Sequence, residues 1–140
     1  AAYFGEKDYQ QLCVIKRLVC DLDMDVRIVG VPTVREADGL ALSSRNAYLK
    51  KSERLIAPVL YETLIEIAEK IEAGGDPEQL AALGREKLLK AGFRQVDYLE
   101  VCDSVTLVPV SFTAGELRIL VAAHIGKARL IDNVPAKGPA

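Results

Sequence analysis

The chain is 140 residues long, 50% apolar and 27% charged, which suits one ordinary globular domain or two small ones. Its formal net charge of −2 and pI near 5.5 argue against a protein that holds nucleic acid by electrostatics. No apolar run approaches the roughly 18 residues of a membrane span, and no secretory signal opens the chain, so no membrane and a cytoplasmic location are expected. Cys13, Cys20 and Cys102 are an odd number at no metal-ligand spacing and read as reduced thiols. The only methionine is Met24, and the chain opens on Ala1, as if inside a longer sequence.

Residues 1–5 are short and apolar and end in Gly5, like the end of a buried strand. From Glu6 to about Met24, Leu12, Ile15, Leu18, Val19 and Leu22 recur at helical steps and predict an amphipathic helix. Val26 to Val31 is a β-branched run and predicts a second strand. Strand, helix and strand make a βαβ unit with a parallel pair. A parallel sheet needs both faces covered, so this unit reads as the trailing edge of a larger sheet. Pro32 to Asn46 is polar, without a sustained period, and long enough to suspect function. Ser52 and Glu53 start a helix whose stripe is Leu60, Leu64, Ile67, Ala68 and Ile71, with Pro58 marking a kink or the true first turn. Gly74 and Gly75 stop it. Asp76 and Pro77 open another helix, with Leu80, Leu83, Leu88 and Leu89 as its stripe and Gly92 as its end. Strands are expected over Gln95–Cys102, Leu117–Ala123 and Ala128–Asn133, and residues 134–140 read as a frayed tail. Helices and strands are segregated after residue 50, so this part is a small α+β unit with an antiparallel sheet. The composition changes between Thr33 and Ser52, where the domain boundary is expected.

Two clusters could carry chemistry. The first, Gly5 to Gln11, lies where a strand ends and a helix begins, which is where open α/β sheets bind ligands. Gly5 lets a flat ligand approach the backbone, Lys7 offers a compact charge to phosphate, and Asp8 can accept hydroxyl protons from a ribose. Gln11 shares a helical face with Lys7 and Asp8. Taken singly, each of these residues also suits an ordinary helix start. The second cluster is Asp38 to Asn46, in which Ser43, Ser44 and Arg45 stand in a row on a loop. Hydroxyls, backbone N–H groups and a guanidinium can wrap phosphate oxygens. The plainer reading is a turn with a cap and a solvated Arg45. His124 follows an apolar strand with no acidic neighbour in sequence and reads as structural. Cys13 and Cys20 read as small core residues and Lys50 and Lys51 as solvated.

Together, Phe4–Leu12, Ile28–Asn46 and Leu130–Asn133 resemble the pantothenate synthetase (pantoate–β-alanine ligase) family, and the resemblance covers essentially the whole chain. It implies the C-terminal half of such an enzyme, of α/β class. Residues 1–35 would be the trailing βαβ edge of a Rossmann-like nucleotide-binding domain, and residues 36–140 a small α+β lid. It also implies an ATP-dependent ligase. Pantoate carboxylate attacks the α-phosphorus to give pantoyl adenylate and pyrophosphate, then the β-alanine amine displaces AMP. By motif match, Gly5 and Val34 would contact adenosine, Asp8 the ribose, Lys7 the phosphates and Gln11 the pantoate. Ser43, Ser44 and Arg45 would clamp the triphosphate and, with Lys7, be catalytic. Leu42, where family members often carry Met, would bind ATP through its backbone. Mg²⁺ would arrive on the phosphates, with no metal ligand from the chain. The family's paired-His phosphate motif has no counterpart here. The resemblance therefore implies a homodimeric enzyme whose other half is supplied in cis or by another chain, and a 140-residue piece inactive alone. A second reading is a stand-alone α+β binding module that keeps the motifs without the chemistry.

Overall fold

The computed structural model describes residues 1–139. Strand β1 (Ala2–Gly5) runs into a single 3-10 turn (Glu6–Asp8) and helix α1 (Tyr9–Asp21). The chain returns as β2 (Ile28–Val31), parallel to β1 with Ala2 opposite Ile28 and Gly5 opposite Val31. A Cβ at Gly30 would meet the Glu6 side chain and Leu12 at 3.0–3.2 Å, so this glycine lets the start of α1 lie close on β2. The expected helix from Glu6 is thus a 3-10 turn followed by a shorter α-helix. Its apolar stripe is also barer than expected. Leu12 is buried, but Leu18 is 51% and Leu22 63% exposed. Two strands cover only part of that face. Cys13 is half-buried and Cys20 exposed, so neither is the core residue the spacing suggested.

The polar connection holds more order than its composition shows. Leu42 N–H donates to the Val34 carbonyl, Glu36 N–H to the Leu40 carbonyl, and Gly39 turns the chain at φ 93°. This small hairpin buries Leu40 and Ala41 and leads into a second 3-10 turn, Ser44–Tyr48. Pro58 separates α2 (Lys51–Ile56) from α3 (Val59–Glu72), and α4 (Pro77–Ala91) follows. Asp76 caps α4 by accepting from the N–H groups of Glu78 and Gln79.

Strands β3 (Gln95–Asp103), β4 (Glu116–Ile125) and β5 (Ala128–Lys137) form an antiparallel sheet in chain order. Strand β5 runs well past the expected end at Asn133. Val134 and Ala136 are buried against the helices, and Pro135 is tolerated on the edge strand, opposite Arg118. The expectation of a frayed tail therefore fails over residues 134–137, where Pro135 conceals a strand; residues 138–139 lie beyond the strand, and residue 140 lies outside the described residues.

Helices α3 and α4 cover one face of the sheet. Leu64, Ile67, Ile71 and Leu88 pack on Leu99, Ile119, Val121 and Ile125. Each buried aliphatic side chain contributes about 1.5–3 kcal/mol. The seam of α4 is Leu80, Gly84 and Leu88, whereas Leu83 and Leu89 face outward. Gly84 sits there because a Cβ would lie 2.6 Å from Leu99 and 2.9 Å from Ile67. Gly84→Ala should accordingly lower the unfolding free energy by about 1–2 kcal/mol, even after the gain of about 1 kcal/mol in helix propensity. Urea unfolding of the two chains measures it, and an equal or higher midpoint would contradict the close packing.

Candidate active site

The face of the antiparallel sheet away from the helices meets the turn that follows β1. Asn133 makes that junction. Its side-chain amide donates to the carbonyls of Glu6 and Lys7, each at 2.9 Å, and its amide oxygen accepts from Arg118 Nε at 2.8 Å. Arg118 lies over the Tyr9 ring, 4.2 Å from the centroid, with Glu6 at 3.5 Å. Asn133 is 3% exposed, so its polar atoms are costly unless bonded, and all are used.

The neighbouring residue fixes the second cluster. Asp132 is buried and takes Arg35 in a two-pronged ion pair, 2.6 and 2.9 Å. Arg35 also donates to the Gly39 carbonyl and lies over the Tyr61 ring, 3.9 Å from its centroid. One dipeptide of β5 thus holds both the Glu6–Lys7 turn and the hairpin that carries Ser43 to Arg45.

The two clusters converge at Lys7. A cleft of about 140 Å³ is lined by Lys7, Asp8 and Gln11 on one side and by Tyr98, Ile131 and Asn133 on the other. A narrow crevice beside it joins Lys7 to Ser43. The Lys7 ammonium makes no hydrogen bond or ion pair among the described residues. Burial pushes it below the ordinary lysine range; Asp8 and Asp132 oppose that shift, and Arg45 adds to it.

The remaining sequence-derived residues are placed less tightly. Ser43 accepts from the Arg45 N–H at 3.2 Å and so caps its 3-10 turn, the plainer of the two readings of that side chain. Ser44 and Arg45 are exposed, and Arg45 Nη1 reaches the Arg129 carbonyl at 3.5 Å. Gly5, Val34 and Leu42 are exposed and line neither cleft. A Cβ at Gly5 would meet nothing within 4 Å, so no contact inside the chain requires glycine there. A larger groove, about 590 Å³, lies elsewhere, between the Arg35–Gly39 hairpin and α3. Glu36, Asp38, Glu62, Glu66 and Glu69 give it a charge unsuited to phosphate.

Sequence reasoning missed Arg118, Asp132 and Asn133 as the parts that hold the site. The available signal was an Asp-Asn pair inside a run of apolar strand residues. His124 does meet an acidic partner, but in space: its Nε2 lies 2.9 Å from Asp97.

Asp132→Asn removes the charge that Arg35 faces while keeping the size of the side chain. It should cost about 3–5 kcal/mol, the usual penalty of leaving a buried charge unpaired. Denaturant unfolding checks this, and a loss below about 1 kcal/mol would show the pair to be well solvated.

Comparison with known proteins bears on this arrangement. The Pantoate-beta-alanine ligase family model matches residues 1–135. A pantothenate synthetase of Paramagnetospirillum magneticum is 55% identical over 133 residues, covering 95% of this chain and 47% of the relative. One of Pseudomonas fluorescens is 54% identical over 134 residues, covering 95% and 46%. The crystal structure of pantothenate synthetase from Thermus thermophilus superposes with a TM-score of 0.88 at 49% identity, covering 95% of this chain and 48% of that one. A pantoate-beta-alanine ligase from Francisella tularensis, complexed with beta-gamma ATP and beta-alanine, gives 0.67 at 35% identity, covering 94% and 42%. The chain spans about half the length of the curated relatives it matches. With nearly all of its residues inside the family model and the same fold in a solved relative, the chain belongs to the pantoate-beta-alanine ligase family.

Proposed function

We propose that this chain supplies one side of the site of an ATP-dependent ligase that joins pantoate to β-alanine through a pantoyl adenylate, releasing pyrophosphate and AMP. The crevice that joins Lys7 to Ser43, with Arg45 near enough to act on the Lys7 charge, carries the reading. Adenylyl transfer needs little covalent help from a protein; it needs positioning and neutralisation of charge that develops on phosphate. Lys7, half-buried and unpaired, gains an anion as its partner when phosphate enters. Arg45 and Ser44, exposed on their turn, close over the outer phosphates. Asp8 takes the ribose hydroxyls and Gln11 the pantoate. The open space at Gly5 leaves room for the flat adenosine, with Val34 and the Leu42 backbone nearby. The relative complexed with beta-gamma ATP and beta-alanine supports this substrate class. Mg²⁺ would come in on the nucleotide phosphates, as it usually does.

The same proposal takes residues 1–35 as the edge of a nucleotide-binding unit and residues 36–140 as a lid. Two separate sheets joined through Asn133 support that division. The opposite wall of the site would come from residues matching the rest of the relatives' length. Tyr3 and Val31, 65% and 40% exposed on the β1–β2 unit, fit such a covering. No described helix is long and apolar enough to cross a membrane. We place the reaction in the cytoplasm.

The test mixes this chain with the portion of a relative that it does not match and follows pyrophosphate release with ATP and pantoate. Release should require both polypeptides. Lys7→Ala should slow it at least ten-fold, the loss of a charge-assisted contact of about 1.5–3 kcal/mol, without changing the unfolding midpoint. An unchanged rate would overturn the assignment of Lys7. Normal turnover by the 140-residue chain alone would overturn the half-site reading.

A further inference from the structure

Arg129 belongs to none of the motifs read above, yet it stands beside the same cleft. Alternate residues of a strand share a face, so Arg129, Ile131 and Asn133 of β5 point the same way at steps of roughly 7 Å. Ile131 and Asn133 line the cleft with Lys7. Tyr98 marks the far wall of that cleft, and both Arg129 and Asp8 lie near enough to act on its hydroxyl. The Arg129 carbonyl accepts from Arg45 Nη1, which ties the two arginines together at the backbone.

The side chain is oriented from behind. Arg129 Nε donates to Asp97 Oδ2 at 2.8 Å. The same oxygen faces His124 Nε2 at 2.9 Å, and Gln95 donates to the other oxygen at 2.7 Å. Arg94 approaches His124 Nδ1 at 3.3 Å, so the imidazole bridges Arg94 and Asp97. Arg129 first, and then His124, hold the Asp97 carboxyl down to about 2, so it stays charged at any ordinary pH. The terminal nitrogens of Arg129 make no bond among the described residues, and the side chain is 40% exposed. A planar guanidinium anchored through Nε and free at both ends is suited to two-pronged binding of a phosphate.

The surrounding charges argue the same way. Asp132 is committed to Arg35 and Asp97 already has two partners. Lys7 lines the cleft, Arg45 acts on the Lys7 charge from beside it, and Arg129 stands at its Tyr98 wall, with Asp8 and Glu100 as the nearby carboxylates that pair with no cation among the described residues. Such a convergence repels itself and is relieved by an anion.

We propose that Arg129, oriented by Asp97, is a further phosphate-binding residue that completes a cationic rim with Lys7 and Arg45. This rests on the nucleotide reading of the cleft. The ligand class is a polyphosphate, the outer phosphates of ATP or free pyrophosphate. Asp97 is a positioning residue that touches no ligand.

The test titrates the chain, assembled with the portion of a relative that it does not match, with pyrophosphate, ATP and adenosine by calorimetry. Arg129→Gln should weaken pyrophosphate and ATP roughly ten-fold, as loss of one charged contact predicts. It should leave adenosine affinity and the melting temperature unchanged. Arg129→Lys should recover part of the loss, and Asp97→Asn should show a smaller loss than Arg129→Gln. Equal weakening of adenosine would mean a structural role and overturn the proposal. If Lys7→Ala and Arg45→Ala weaken pyrophosphate but Arg129→Gln does not, this inference fails alone. Loss at Arg129 with none at Lys7 overturns the shared rim. No binding of pyrophosphate or ATP by the unaltered chain overturns the inference and the nucleotide reading together.

Discussion

The structure depends on one buried polar junction, Asp132-Asn133 in the middle of an edge strand. Asp132 receives Arg35, and Asn133 receives Arg118 and donates to the carbonyls of Glu6 and Lys7. These groups are expensive to bury and are stable only because every member has a partner. That demand gives the junction its specificity. A register slip in β5 would turn both side chains to the opposite faces and strand them without partners. The apolar core on the other face of the sheet supplies most of the stability, but it places nothing at the cleft. The junction fixes where the β1–α1 turn and the Ser43–Arg45 turn stand relative to the sheet.

Electrostatics follows from that placement. The junction commits its carboxylate to Arg35, so it holds Lys7 by the backbone and leaves the ammonium unpaired in a partly dry cleft. Burial disfavours the charged form of such a lysine, and an arriving anion would reverse this. The site is built at some electrostatic cost before any ligand arrives. On the proposed function, phosphate would meet cations already in place rather than ones that must be gathered, the usual basis of electrostatic preorganisation.

Much of this was legible in the sequence, for identifiable reasons. The βαβ order, the break after residue 50 and the capped start of α4 follow from periodicity, turn residues and Asp76-Pro77. Where the reading failed, long-range contacts decided the outcome. Pro135 suggested fraying, but an edge strand does not need its N–H. Leu83 and Leu89 suggested the α4 seam, but the close approach of Leu99 selected Gly84. Cys13, Cys20, Leu18 and Leu22 suggested a buried stripe that two strands cannot cover.

The candidate site divides the same way. Lys7, Asp8 and Gln11 follow from helical spacing at a strand end, and they do share a cleft. That Ser43 would join Lys7 could not be read from either motif, because the join is made by Arg35 reaching to Asp132, 97 residues away in sequence. Asp97 and His124 are likewise distant in sequence and adjacent only through the pairing of β3 with β4.

Asn133 holds the Lys7 turn through the carbonyls of Glu6 and Lys7, and on the proposed function that turn must be held for ATP to bind. Calorimetric ATP titration of Asn133→Ala, beside a melting curve of the sheet, tests it most directly. The variant should still unfold cooperatively and bind ATP at least ten-fold more weakly, from loss of the two carbonyl contacts that orient Lys7. Unaltered ATP affinity in the folded variant would contradict it.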